Sequence, residues 1–181
     1  MKTINLALIV SVLLYSCNKG PELTPVTQEG TNTFSCKVNG KVWIPELHPG
    51  SLFGYTTPAI SGGYWHLFRP DTIAIFISAR TNSKGRIRIF LQDINIGTHL
   101  LDNNTVVIDT SGIHQSYATY EYPTAKQRYI TTATNTGYVK LTKSGFKTDG
   151  IISGTFEFTA INTSGELVRI TDGRFDIKSP L

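Results

Sequence analysis

Residues 151–177 read IISGTFEFTAINTSGELVRITDGRFDI, and this stretch decides the fold. Phe156, Phe158 and Ala160 alternate with Thr155, Glu157 and Thr159, the two-residue period of a strand with one buried face. Asn162-Thr163-Ser164-Gly165 is a cluster of turn formers. Val168 and Ile170 alternate with Arg169 and Thr171 on the return strand. At Asp172-Gly173 the parity slips by one residue, and Phe175 and Ile177 carry the apolar face onward. A β-bulge with the glycine in a left-handed conformation absorbs one such residue. Ala160 then faces Val168, Phe158 faces Ile170, and Gly154 lies opposite Phe175, whose ring fills the space above the glycine. The alternative makes Asp172-Gly173 a separate two-residue hairpin turn; the bulge is the preferred reading.

Outward from this hairpin the same period recurs. Phe34, Cys36 and Val38 alternate with Ser35 and Lys37, then Asn39-Gly40 signals a two-residue turn into Val42-Trp43-Ile44. That turn pairs Cys36 with Trp43 in a core cluster. Pro45 to Gly63 carries three prolines and four glycines and reads as a long irregular loop. Tyr64–Phe68 is a short strand. Ile73, Ile75 and Ile77 form a clear one, and Ile87, Ile89 and Leu91 return from the turn at Thr81–Gly85. Weaker strands follow at 96–101 and 105–109, then at 116–122, 128–134 and 138–142. No helical apolar period of ten residues appears after the N-terminal segment. The expectation is an all-β domain of about ten strands, an antiparallel β-sandwich, with a meander β-barrel as the alternative.

The N-terminus is of a different kind. Met1-Lys2-Thr3 is basic, Ile4–Leu14 is mostly apolar, and Leu14-Tyr15-Ser16-Cys17 follows. The apolar run is shorter than the ~20 residues needed to span a bilayer and has the form of a signal peptide. The segment resembles a lipobox, so residues 1–17 are expected to be a lipoprotein signal with Cys17 as the lipidation site and the membrane as a partner. Residues 18–32, NKGPELTPVTQEGTN, read as a flexible tether holding the domain roughly 20 Å from the lipid, or about 50 Å fully extended. Residues 33–181 are the single domain, on the order of 150 residues, enough to bury about two-thirds of the surface. With Cys17 lipidated, Cys36 has no disulfide partner and is expected to be a buried, inert thiol. The net charge of +4 and pI near 9.1 do not imply nucleic acid in an exported protein.

Candidate chemistry is sparse. The four histidines, His48, His66, His99 and His114, have no metal-ligand spacing, so neither a metal nor another cofactor is expected. There is no nucleophile elbow or phosphate-binding glycine loop. Asp102 and Asp109 are the acids a hydrolase would need to bring together, but turn and surface roles account for them better. Arg80, Lys84, Arg86 and Arg88 cluster on one hairpin and suit an anionic polymer; a solvated strand face is the plainer reading. Tyr64 and Trp65, beside a glycine-rich loop, and Tyr117, Tyr120, Tyr122 and Tyr129 are rings of the kind that stack on sugars, although core packing accounts for most strand aromatics. The candidate binding residues are therefore Tyr64, Trp65, Tyr120, Tyr122, Arg86 and Arg88.

The lipobox at Cys17, the opening Phe34…Val38-Asn39-Gly40-Lys41…Trp43, and the closing Gly137-Tyr138-Val139, Ser153–Phe158 and Ile170–Asp176 segments together resemble an uncharacterised family of Bacteroidota lipoproteins carrying a domain of unknown function. Gly97-Thr98-His99-Leu100 resembles a further segment of that pattern, with His99 in place of tyrosine. The resemblance implies the fold and no catalytic residues, and the expected location is the cell envelope, as an outer-membrane lipoprotein on either the periplasmic or the surface face. The expected function is that of a lipid-anchored binding or accessory module, not an enzyme, meeting a glycan, peptide or envelope protein. A structural envelope component is the alternative, and a hydrolase using loop carboxylates comes third.

Overall fold

The computed structural model describes residues 20–46, 58–66, 73–82, 85–102, 115–122 and 127–179. The signal segment with Cys17, the strand expected at 105–109, and His48, Lys84, Asp109 and His114 lie outside the described residues.

Eleven strands are present among them: β1 (Thr33–Val38), β2 (Lys41–Trp43), β3 (Ile60–His66), β4 (Ile73–Thr81), β5 (Gly85–Leu91), β6 (Gly97–Leu100), β7 (Tyr117–Tyr122), β8 (Gln127–Ile130), β9 (Gly137–Ser144), β10 (Ile151–Ile161) and β11 (Leu167–Lys178). They form one antiparallel sheet in the order β2-β1-β11-β10-β8-β7-β5-β4-β3, with β9 pairing β10 and β6. Strand β10 is the spine. Its whole length pairs with β11, its first part with β9, and its last residue, Ile161, with Ile130 of β8. That last pair joins the two halves of the sheet, which curls into a half-barrel. The architecture fits the expected sandwich-or-barrel class. Across the curl, Gly62 of β3 lies against Ile177 of β11, and the Tyr64 hydroxyl is 3.2 Å from Ser144 Oγ on β9. Strand β3 begins inside the stretch expected to be irregular, because Ile60–Gly63 pairs with Ala79–Phe76 and gains a full ladder there.

The core lies inside the curl. Ile75, Ile77, Ile87 and Ile89 from one half meet Phe34, Phe156, Phe158, Phe175, Ile170 and Ile177 from the other, all 3% exposed or less. The expected pairs Ala160–Val168, Phe158–Ile170 and Gly154–Phe175 are present, as is Cys36–Trp43. Asn39 and Gly40 take φ of 48° and 80°, the left-handed pair that a tight hairpin needs. The bulge is also where parity placed it, with a register shift opposite Glu157. Its left-handed residue, however, is Asp172 (φ 53°) and not Gly173. Glycine is required at 173 for space: a Cβ there would stand 2.5 Å from the Phe156 carbonyl oxygen and 2.6 Å from its ring. The same bulge shifts β1, whose pairing with β11 slips between Ser35 and Lys37.

The segment expected to be a free tether is largely docked. Residues 20–32 have no regular structure, yet they run against the outer face of β1 and β11. The fastening is Asp176, 1% exposed. Its carboxylate accepts hydrogen bonds from the Thr27 hydroxyl (2.6 Å), the amides of Glu29 (3.0 Å), Gly30 (2.9 Å) and Thr31 (3.1 Å), the Thr31 hydroxyl (3.0 Å) and the Ser153 hydroxyl (2.7 Å). The Thr24 amide donates to Ser35 Oγ, and the Arg174 guanidinium donates to the Thr24 carbonyl. Burial alone would raise the Asp176 pKa. The donors from Thr27, Ser153, Thr31 and Gly30 outweigh it and hold the carboxyl well below the usual carboxylate range.

Candidate functional site

Strand alternation and register place three cross-strand rows on the outer face of β4, β5, β7 and β8. The first row is Arg80–Arg86–Glu121–Arg128, the second Ser78–Arg88–Thr119–Ile130, and the third Phe76–Phe90–Tyr117. The inner residues of the same strands, Ile87, Ile89 and Ala118, are fully buried, which fixes the direction of the polar set.

Glu121 organises the basic row. Its Oε1 accepts from Arg88 NH1 at 3.0 Å and from Arg128 Nε at 3.0 Å, with Arg128 NH2 also at 3.0 Å. Arg86 NH1 stands 4.0 Å from Oε2. Four arginines of the described residues therefore share a face with Glu121. Burial draws the Arg88 pKa below its ordinary value; Glu121 opposes this, while Arg86 and Arg128 reinforce it. The same charges reach Tyr117, whose pKa is raised by burial and drawn back by Arg88 and Arg128. At the strand ends this row borders a groove of about 590 Å³, lined by Arg80, Asn82, Arg86, Tyr122, Gln127 and Arg128. Gly85 (φ 101°) shapes one wall, since a Cβ there would run into the Glu121 carbonyl.

The aromatic row is packed edge and face. Phe90 and Tyr117 stack at 5.4 Å with a 20° interplanar angle, and Trp65 of β3 meets Phe76 edge-on at 6.4 Å. Trp65 is 54% exposed. Between the rows, Thr119 is buried and its hydroxyl finds no protein partner.

The six binding candidates thus divide. Trp65, Arg86 and Arg88 share the outer face. Tyr64 points the other way and packs on Phe146, 5.0 Å between centroids. Tyr120 is 4% exposed, a core ring beside Cys36, and its pKa is pushed up to about 12, first by burial and then by Tyr122, Cys36 and Tyr129. Tyr122 lies at the rim of the groove, exposed. Sequence reasoning missed Arg128 and Glu121, which only the β7–β8 pairing brings to the arginines; it counted Tyr117 among the candidate rings but missed Phe76 and Phe90 beside it, although parity along β4 and β5 signals them. His66 packs edge-on against Phe146, and His99 Nε2 lies 2.8 Å from the Asn95 carbonyl, far apart in the fold. No group of three or more metal-ligating side chains gathers among the described residues.

No curated protein matches the chain, and no solved structure does. The model of the family described as Domain of unknown function (DUF6252) matches residues 70–177, more than half of the chain, and the protein belongs to that family.

Proposed function

We propose that the protein is a lipid-anchored envelope protein of the outer membrane, whose β-domain is a binding module for an anionic ligand and not an enzyme. The observation that carries this reading is the Arg80–Arg86–Glu121–Arg128 row bordering an open groove. A strand face that merely needed solubility would mix the signs of its charges. Here three guanidiniums, of Arg86, Arg88 and Arg128, converge around one carboxylate with Arg80 next in the row, and guanidiniums favour planar, forked recognition of carboxylate, phosphate or sulfate groups. Glu121 is engaged by Arg88 and Arg128, and the described lining of the groove supplies charge and hydrogen-bond donors. The lipid anchor rests on the Leu14–Cys17 segment.

Retention of the detergent-solubilised full-length protein on a sulfated polysaccharide matrix tests the module. Arg86→Gln/Arg128→Gln should elute at markedly lower salt than wild type, whereas Lys140→Gln/Lys178→Gln, which removes two exposed charges elsewhere, should elute close to it. Equal elution of the two double variants would leave only non-specific charge attraction and sink the site. Cys17→Ala should leave the membrane fraction; its firm retention there would overturn the lipid anchor.

A further inference from the structure

We propose that the outer face of β3, β4, β5, β7 and β8 is a track for an acidic oligosaccharide, with its acid groups on the arginine row and its sugar rings on the aromatic row. This rests on the anionic-ligand reading and names the ligand class. The two rows run parallel across the same strands. Arg86 and Phe90 are four residues apart on β5, so they are separated by about 13 Å along the face, at two residues and about 6.7 Å per row. A single inorganic anion satisfies only the first row. A chain that bears acids at intervals reaches both, and Arg88 stands midway.

The chemistry of each row suits that ligand. The exposed Trp65 and the half-buried Phe76 present rings at the end away from the arginines, and the half-buried Tyr117 lies beside them, stacked on the buried Phe90. The apolar face of a sugar ring fits such planes. Ser78, between the rows, adds a half-buried hydroxyl, while Thr119 beside it is buried. Asn82, Gln127 and the exposed Tyr122 add neutral polar groups and a ring at the groove. A lipid surface is the less favoured occupant, because the exposed ring of the row, Trp65, is fastened edge-on to Phe76 instead of standing clear with aliphatic neighbours.

Calorimetric titration of the full-length protein in neutral detergent with four probes tests the track: inorganic phosphate, monomeric galacturonate, an oligogalacturonate, and a neutral maltooligosaccharide. The oligogalacturonate is expected to bind more tightly than the monomer, and the neutral oligosaccharide least. Trp65→Ala should weaken oligogalacturonate about tenfold, the size of one ring contact, and leave phosphate unchanged. Arg86→Gln/Arg128→Gln should weaken both. Oligogalacturonate binding that does not change with Trp65→Ala, or that merely equals phosphate, would overturn the track and leave the anionic groove standing. No saturable binding of phosphate, monomer or oligomer would overturn both. Binding to phosphatidylglycerol vesicles without binding to oligogalacturonate would replace the saccharide with a membrane.

Discussion

Removing the Asp176 carboxylate should loosen the docked N-terminal segment and destabilise the domain. Six hydrogen bonds converge on this one group, three of them from consecutive backbone amides at 29–31. Each bond to a charged group is worth ~1.5–3 kcal/mol, but they do not add. In Asp176→Ala the segment can peel away and return its amides to water, so the lasting loss is the docking itself plus the Ser153 hydroxyl left buried. That sets the expected cost at about 3 kcal/mol, near the upper end for single substitutions. With a urea slope of about 2 kcal/mol/M, the unfolding midpoint should fall by about 1.5 M. Digestion with a glutamate-specific protease reads the segment directly, because cleavage after Glu29 requires its release from Asp176. Asp176→Asn keeps the shape and removes the charge, and should fall between wild type and alanine. The pH dependence has a definite sign. A carboxyl whose folded pKa is depressed contributes stability that is complete above its unfolded value of about 3.9 and is lost as pH falls below it. The wild type should therefore lose more stability than Asp176→Asn between pH 5 and pH 2. An Asp176→Ala variant with an unchanged midpoint and no faster cleavage after Glu29 would refute the fastening.

Two glycines give contrasting expectations. Gly173→Ala pushes a methyl into Phe156 and should cost about 2–3 kcal/mol by chemical denaturation, whereas Gly40→Ala meets no atom within 4 Å and should cost about 1 kcal/mol, from its positive φ alone. Equal losses at the two sites would contradict the packing account of the bulge. Cys36 is fully buried, and burial pushes its thiol pKa up. Thiol reagents should leave it untouched in native protein and label it once denaturant is added; rapid native labelling would dismantle the Cys36–Trp43 cluster. Glu121→Gln removes the carboxylate that competes for the arginines and should strengthen phosphate binding several-fold in calorimetry at low salt; weaker binding would mean that Glu121 chiefly aligns them.

The closing hairpin could be read from sequence because one buried face imposes a strict period, so a single slip at Asp172-Gly173 stood out. Which of the two residues turns left-handed could not, since Asp and Gly both tolerate that region and the deciding contact, Phe156 against Gly173, is cross-strand. Asp176 falls on an outward position of β11, where an acid ordinarily means solvent; all its donors but the Ser153 hydroxyl come from a segment about 145 residues away that has no period at all. The arginine row was half visible. Arg86 and Arg88 alternate on one strand, but Glu121 and Arg128 join them only through pairing across β7 and β8. Tyr64 and Trp65 were grouped by adjacency, although neighbours on a strand point to opposite faces.

The most direct test of the binding account is NMR observation of the arginine side-chain Nε–Hε resonances of the full-length protein in detergent during titration with oligogalacturonate. Saturable shifts at Arg86 and Arg128, followed at lower amplitude by Arg88, are the predicted result. Shifts confined to Arg169 and Arg174 on β11, or no saturable shift at any arginine, would contradict it.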